Sequence, residues 1–220
     1  MKYNTYDLFI FDFDGTLGDT QDCVVASFQQ TITDNKLQKP KKEDIVNLMG
    51  LSLEQVFRQL IGDTYEKPFY EKLIDDYRCH YRNYLASKTK IFKGVRETLA
   101  YIKNANCVCS IATSKKTEFA TLSCRFLNID KYIDYYIGDD KVTNKKPHPE
   151  MLEKTYKDLR IDSARSVLIG DSTFDIDMGN AMGIDTIAVT WGAHSEAVLR
   201  ASMPTYIISS FSELRKFVKK

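Results

Sequence analysis

The sequence predicts an α/β fold in which a doubly wound parallel sheet carries an inserted all-helical domain. From about residue 95 to the C-terminus, short β-branched or aromatic runs alternate with helical periods, as expected of βαβ units. Residues 18–90 instead carry helical periods with hardly any strand signal. We therefore expect a core domain formed by residues 1–17 and 91–220, and a helical domain formed by residues 18–90.

The strands are predicted where short apolar runs are bounded by turn residues or helical patterns. The first run covers residues 8–11, and later runs cover residues 108–112, 135–137, 167–169, 186–189 and 206–208. Right-handed crossovers between successive parallel strands then give a doubly wound sheet.

The helices are predicted where apolar residues recur every three or four positions. In the core this pattern falls near residues 95–102, 119–126, 151–159 and 176–182, and in the insertion it falls at residues 23–35, 41–48, 53–60 and 69–86. Pro40 fits a helix start, and Ser52 with Gln55 fits a capping box.

The composition limits the classes of partner and the compartment. The 220 residues include 31 basic and 30 acidic side chains, so no concentrated basic field favours nucleic acid or a membrane surface. The five cysteines lack zinc-type spacing and are interpreted as reduced thiols. No long apolar segment suggests a leader or a membrane span, and we expect a cytoplasmic protein. Whether it is a monomer or a dimer cannot be read from the sequence.

Four acidic residues directly follow two of the predicted strands. Asp12 and Asp14 follow the first strand, and Asp171 and Asp175 follow the run at residues 167–169. Ligands of open α/β sheets bind at this edge. Four carboxylates gathered there need a cation to offset their repulsion, so the sequence predicts a Mg²⁺ site.

The chemistry of these residues points to phosphoryl transfer. Asp12 can leave the strand end as a nucleophile, and Asp14 can act first as an acid and then as a base, on a turn that Gly15 permits. The alternative interpretation of this segment is an ordinary exit from strand to turn.

Two later segments offer groups that could hold phosphoryl oxygens. Thr113 and Ser114 end the second core strand with two hydroxyls, although Ser and Thr are also common helix caps. Lys146 precedes Pro147 and would be a fixed cation, although a lysine there is usually a surface charge. The adjacent Lys145 is a second candidate for this cation.

These segments resemble, in order, the four motifs of the haloacid dehalogenase superfamily of phosphohydrolases. The matching residues are Asp12-Phe13-Asp14-Gly15-Thr16-Leu17, Thr113, Lys146-Pro147 and Gly170-Asp171-Ser172-Thr173-Phe174-Asp175. The insertion resembles the helical cap of phosphoglycolate phosphatase-like and β-phosphoglucomutase-like members. The resemblance implies a Rossmann-like core with a helical cap domain that covers the reaction site.

The resemblance also implies residue roles. Asp12 would be nucleophile and metal ligand, and Asp14 would be acid/base and a ligand through its backbone carbonyl. Asp171 would bind the metal, with Asp175 as a supporting acid near it. Thr113 and Lys146 would bind phosphate, with Ser114 beside them. The position directly before proline favours Lys146 over Lys145. Gly50 would belong to a substrate-specificity loop.

The expected activity is Mg²⁺-dependent hydrolysis of a small phosphorylated metabolite through an aspartyl-phosphate. A phosphomutase, a pyrophosphatase, a receiver domain and a phosphate-binding module remain alternatives, although Thr16 is more typical of phosphatases than of the mutases. The substrate is open between phosphoglycolate, a nucleotide, a sugar phosphate and pyrophosphate. Lys115 is expected at the rim of the site. Four residues of the cap are candidates for contact with the leaving group, namely Arg58, Arg78, His80 and Arg82. Charged residues on helices usually face solvent instead.

Overall fold

A computed structural model describes residues 3–161 and 165–219. Residues 1–2, 162–164 and 220, which fall within the predicted core, lie outside the described part. In chain order the strands are β1 (Leu8–Phe11), β2 (Gly18–Asp19), β3 (Lys90–Ile91), β4 (Val108–Ala112), β5 (Tyr135–Ile137), β6 (Ser166–Gly170), β7 (Asp185–Val189) and β8 (Tyr206–Ile208).

Six of these strands form one parallel sheet in the order β5-β4-β1-β6-β7-β8. The first strand lies in the middle because all four of its residues are apolar and buried, as expected where helices cover both faces. Its residues pair with β4 on one side and β6 on the other, so that Phe11 lies beside Ile111 and Ile169. The order of the strands reverses at β1, which makes its carboxyl end the ligand-binding crevice.

Helices cover both faces of this sheet. They are α5 (Val95–Asn104), α6 (Thr117–Phe126), α7 (Glu150–Leu159), α8 (Thr173–Met182) and α9 (Glu196–Ala201). Phe9 and Phe11 pack in one apolar cluster with residues of α5 and α6. Leu8 and Ile10, which point to the opposite face, pack in a second cluster with α7 and α8.

Residues 20–89 form four helices between the short strands β2 and β3. The helices are α1 (Gln21–Asp34), α2 (Lys42–Val46), α3 (Leu53–Ile61) and α4 (Lys67–Lys88). Their apolar faces form a cluster of their own, in which Phe28 contacts Phe57 and Tyr77. Phe119 of α6 also belongs to this cluster, so α6 joins the insertion to the core.

The predicted fold class is confirmed. The short strands β2 and β3 and the helix α9 are not among the predicted elements, and the other differences lie at the ends of helices. The helix predicted at residues 41–48 is shorter, because regular structure ends at Val46. The helix predicted at residues 69–86 begins two residues earlier, with Pro68 in its first turn where a missing N–H costs nothing. The predicted capping box is present, since Ser52 and Gln55 bond reciprocally. None of the helices in the described ranges is long and apolar enough to cross a membrane.

Candidate active site

Three of the four predicted carboxylates meet at the carboxyl ends of β1 and β6. Oxygens of Asp12, Asp171 and Asp175 lie within 4.8 Å of one another. Asp12 is held at the strand end because its backbone N–H donates to the carbonyl of Ile169 at 2.8 Å. Asp12 is 4% exposed, Asp171 2% and Asp175 1%, so water does little to screen their mutual repulsion.

Lys146 supplies the cation within this acidic cluster. Its Nζ lies 2.7 Å from Asp12 Oδ1 and 2.6 Å from Asp175 Oδ1, and the side chain is fully buried. The adjacent Lys145 turns away and donates to the backbone carbonyl of Asp139. The structure thus places Lys146, rather than Lys145, beside the carboxylates.

Asp171 is positioned by contacts that the sequence analysis missed. A Cβ atom added at Gly15 would lie 2.1 Å from Asp171 Oδ2, and one added at Gly192 would lie 2.2 Å from it. Both glycines therefore leave the space that the Asp171 side chain occupies. The Thr16 hydroxyl donates to Asp171 Oδ1 at 3.0 Å and the backbone N–H of Ala193 donates to Oδ2 at 2.7 Å.

The burial of these acids changes their proton affinity. Burial raises the pKa of Asp12 from 3.8 to about 7, with the nearby Lys146 opposing the rise and Asp175 adding to it. Burial, and then repulsion from Asp12 and Asp175, raise the pKa of Asp171 well above its ordinary range. Three buried carboxylates facing one ammonium carry excess negative charge, and the set of oxygen donors fits a divalent cation such as Mg²⁺.

The carboxylate of Asp14 does not join the cluster, which corrects the expectation that four carboxylates gather. Asp14 Oδ1 accepts a hydrogen bond from the Thr20 hydroxyl, and Oδ2 lies 2.8 Å from Lys115 Nζ. The prediction that Lys115 lies at the rim is wrong. Its side chain is only 10% exposed, and its ammonium lies 4.0 Å from the ring centroid of Tyr81 in α4.

The other predicted substrate-binding residues lie where the core meets the insertion. Thr113 is buried at the end of β4 and lines the same pocket as Asp12 and Asp14. The Ser114 hydroxyl donates to the backbone carbonyl of Gly50. Gly50 has a φ of +103° and packs so closely that an added Cβ would lie 2.9 Å from Ser172 Oγ. The loop after α2 therefore rests directly on the core.

This pocket is acidic on one side and mainly apolar on the other. Helices of the insertion contribute apolar and aromatic side chains, among them Phe28, Tyr77 and Tyr81. Of the four cap residues considered as candidates, Arg78 lines the pocket. The other three have acidic partners elsewhere. Arg58 pairs with Glu54 and Asp63, Arg82 pairs with Glu118, and His80 Nε2 lies 3.1 Å from Asp34 Oδ2.

The parallel sheet, with carboxylates and a lysine at its central crevice, defines an α/β protein whose candidate active site is built on strand ends. Comparison with known sequences gives the family. The profile of the family described as haloacid dehalogenase-like hydrolase matches residues 9–189. The chain belongs to this family and is an enzyme of the hydrolase class.

Similar proteins extend over nearly the whole chain. The chain is 32% identical over 209 residues to "Probable phosphatase IndB" of Dickeya dadantii, covering 94% of this chain and 91% of that protein. It is 28% identical over 214 residues to Pyrophosphatase PpaX of Bacillus mycoides, covering 97% and 96%.

Solved structures agree with the fold. A haloacid dehalogenase-like hydrolase from Bacteroides fragilis superposes with a TM-score of 0.89 at 28% identity, covering 96% of this chain and all of that one. A beta-phosphoglucomutase from Clostridium difficile superposes with a TM-score of 0.83 at 18% identity, covering 96% and 93%. The second likeness concerns the fold alone.

Proposed function

We propose that the protein is a Mg²⁺-dependent phosphatase that hydrolyses a small phosphomonoester through an aspartyl-phosphate on Asp12. One observation carries this proposal. The Asp12 carboxylate lies at the end of β1, within 4.8 Å of carboxylate oxygens of Asp171 and Asp175, while Lys146 donates to one of its oxygens. A nucleophile surrounded in this way faces a site that can neutralise a phosphoryl group.

The first step forms the covalent intermediate. An oxygen of Asp12 attacks phosphorus, and the bond between phosphorus and the ester oxygen breaks. Asp14 gives its proton to the departing oxygen. Lys146, 2.7 Å from Asp12 Oδ1, lies where it can offset charge on the phosphoryl oxygens, and Thr113 with the backbone N–H groups near Phe13 orients them.

The second step releases inorganic phosphate. Asp14 takes a proton from water, the water oxygen attacks phosphorus, and the bond to Asp12 breaks. The residues that would hold Mg²⁺ are Asp12, Asp171 and Asp175 with the backbone carbonyl of Asp14, and the ion would supply positive charge opposite the phosphoryl oxygens. Such charge is needed because uncatalysed hydrolysis of phosphomonoesters is among the slowest reactions, with enzymes gaining up to ~10²¹-fold.

The proposal assigns a core domain to residues 1–17 and 91–220 and a cap domain to residues 18–90. Gly18 pairs with Ile91 and Asp19 with Lys90, so the chain leaves and returns at one place. The apolar cluster formed mainly by α1 to α4 supports a unit with its own core, which Phe119 of α6 joins to the rest of the protein. Contacts of Gly50 with Ser114 and Ser172 support a cap that lies over the crevice, where it would exclude water during the first step.

A phosphate-release assay over a panel of phosphorylated metabolites, with and without Mg²⁺, tests the proposal. Asp12→Asn removes the nucleophile while keeping the shape of the side chain, and should abolish release. Asp177→Asn, an exposed acid on α8, is the matched control and should retain full activity. Release by Asp12→Asn at the rate of the unaltered protein would contradict the mechanism.

A pyrophosphatase is the second candidate, favoured by the names of several relatives at 28% identity. The same attack by Asp12 would then break the anhydride bond of pyrophosphate. A phosphomutase would instead return the phosphoryl group to the sugar. Incubation with a sugar 1-phosphate separates the mutase from both hydrolases, because an isomer appears in place of free phosphate.

A further inference from the structure

Lys115 is a buried cation that the proposed mechanism does not use. Its side chain is 10% exposed, and its Nζ lies 2.8 Å from Asp14 Oδ2. Lys115 also lies over the ring of Tyr81, an insertion residue, at 4.0 Å from the centroid. Burial of a lysine is costly unless it has partners, so its presence at this place calls for a physical explanation.

The contacts of Lys115 leave capacity for a further anion. An ammonium has three N–H donors, and within residues 3–161 and 165–219 the structure gives Lys115 one carboxylate partner, Asp14. Asp14 is also bonded by Thr20, so it does not rely on Lys115 alone. The aromatic residues Tyr77 and Tyr81 beside the lysine lower the local dielectric constant, which strengthens its attraction for an anion.

The position of Lys115 indicates which part of a substrate would carry the anionic group. In the proposed mechanism Asp14 gives its proton to the leaving oxygen, so that oxygen binds next to the Asp14 carboxylate. Lys115 Nζ lies 2.8 Å from the same carboxylate. An anionic group bound to Lys115 would thus be only a few bonds from the leaving oxygen, on the same small molecule.

Arg78 provides a second cation in the lining of the pocket. It projects from α4, contacts Asp75 through one guanidinium nitrogen at 2.9 Å, and lines the pocket together with Lys115. Arg82, one turn further along the helix, pairs with Glu118 instead. The core and the insertion therefore each contribute a cation to the lining of the pocket that Asp12 and Asp14 also line.

We infer that Lys115 and Arg78 bind a second anionic group of the substrate, so that the enzyme acts on short phosphate compounds with a carboxylate or another phosphate next to the cleaved bond. This inference rests on the proposed function and narrows it. It disfavours phosphorylated sugars and alcohols whose leaving group is uncharged, since these would leave Lys115 and Arg78 without their anion.

Two matched pairs of compounds test the inference. Phosphoglycolate is compared with ethyl phosphate, which has a similar size without the carboxylate, and pyrophosphate is compared with methyl phosphate. The quantity measured is kcat/KM for phosphate release with Mg²⁺. A site built to pair with a polar group rejects the analogue that lacks it, so at least one anionic member should exceed its neutral partner by about 100-fold or more. The pair with the larger advantage distinguishes carboxylate from phosphate.

Variants then test whether Lys115 and Arg78 cause the preference for the anionic compound of each pair. Lys115→Met and Arg78→Met should each reduce the ratio of the anionic to the neutral rate by about tenfold or more, whereas Arg82→Met, the matched control, should leave the ratio unchanged. Loss of folded protein lowers the two rates of a pair together and leaves their ratio unchanged. Damage at Asp14 also leaves the ratio of phosphoglycolate to ethyl phosphate unchanged, because both leaving groups are alkoxides that need a proton, so this pair assigns the effect. If Lys115→Met does not fold, Lys115→Arg keeps the charge and should keep the preference.

The outcomes separate the inference from the proposed function. Equal rates within both pairs, or ratios that Lys115→Met and Arg78→Met leave unchanged, would overturn the inference while the enzyme remains a phosphatase. No phosphate release from these compounds or from the wider panel would overturn the proposed function itself.

Discussion

Two lysine–aspartate groups lie side by side in the crevice, and they differ in what surrounds them. Lys146 is enclosed by Asp12 and Asp175, with its side chain completely buried within the core. Lys115 pairs with Asp14 and touches Tyr81 of the insertion, and both charged side chains keep some exposure. In the proposed mechanism the first group belongs to the reacting centre, while the second lies where core and insertion meet.

This difference separates two tasks of the site. The group around Lys146 is built from residues at strand ends and helix starts of the proposed core domain, so its geometry does not depend on the position of the insertion. The group around Lys115 depends on the position of α4, so its surroundings change if the insertion moves. We expect changes near Lys146 to affect every substrate, and changes near Lys115 to affect the choice among substrates.

We expect the largest effect on kcat from replacing Asp12 or Asp14 with asparagine. Asp12→Asn should lower kcat by about 10⁴-fold or more, as for removal of a nucleophile. Asp14→Asn should lower it by about 10²–10⁴-fold, the usual contribution of acid–base catalysis.

para-Nitrophenyl phosphate distinguishes the two roles. Its leaving group departs without a proton, so Asp14→Asn should give a rapid burst of nitrophenol followed by slow turnover, while Asp12→Asn should give no burst. A burst from Asp12→Asn would show that Asp12 is not the nucleophile.

The next effect is on stability. Lys146→Met leaves Asp12 and Asp175 buried without their cation, and should lower the free energy of unfolding by about 3–5 kcal/mol. Lys115→Met should cost less, because Asp14 keeps its bond to Thr20 and some contact with water. Urea denaturation with a chelator present measures both values. Equal losses would show that the two groups do not differ in burial as described.

The substitution Gly192→Ala tests the position of Asp171 without removing any charge. In Gly192→Ala the new Cβ would lie 2.2 Å from Asp171 Oδ2, so Asp171 must move. A displacement of about 1 Å at such a site costs on the order of 10²-fold in rate, and kcat should fall accordingly.

Gly62→Ala is the control for this change. Gly62 has a φ of +87°, and among the described residues nothing lies within 4 Å of the position that a new methyl group would take. It lies at the end of α3, and its carbonyl accepts a hydrogen bond from Tyr70 within the insertion. Its strain should cost about 1–2 kcal/mol of stability and leave kcat unchanged. A normal kcat for Gly192→Ala would mean that Asp171 has room to adjust.

The sequence predicted the three aspartates of the Lys146 group because local patterns determine them, although it also expected the Asp14 carboxylate there. The choice of Lys146 over Lys145 came from the resemblance to the family motif. Asp12 follows an apolar strand directly, and Asp171 and Asp175 straddle a helix start, so each position follows from its neighbours in the chain. The parallel sheet then brings these ends together. The six strands of the parallel sheet and the four inserted helices were predictable for the same reason, since apolar periodicity is a local signal.

The Lys115 group was not predictable, because it depends on contacts between distant segments. Nothing in the sequence near Lys115 indicates that Tyr81 would cover it, or that Arg78 rather than Arg82 would face the pocket. The tight approach of Gly15 and Gly192 to Asp171 likewise joins three separate loops. The signals available in the sequence were the two glycines themselves, Gly15 directly after Asp14 and Gly192 shortly after a strand end.

The smallest effect concerns the coupling between pH and metal binding at the Lys146 group. The pKa of Asp12 is raised from 3.8 to about 7, so between these values the metal-free folded state binds more protons than the unfolded state. The stability of the metal-free protein should therefore fall as pH rises from about 4 to about 7. Mg²⁺ needs the ionised carboxylates, so its stabilisation should increase over the same interval.

Thermal unfolding at pH 5 and pH 8, with a chelator or with Mg²⁺, measures this coupling. At a concentration of 100 times its Kd, a ligand that binds only the folded state adds about 2.7 kcal/mol to the free energy of unfolding. If Mg²⁺ is present at this level at pH 8, we expect the same concentration to add clearly less to the free energy of unfolding at pH 5. Asp12→Asn removes the titrating group and should weaken the pH dependence, whereas Lys115→Met should preserve it, because Lys115 lies outside the acidic cluster. An equal gain at both pH values would show that Mg²⁺ does not compete with protons at Asp12.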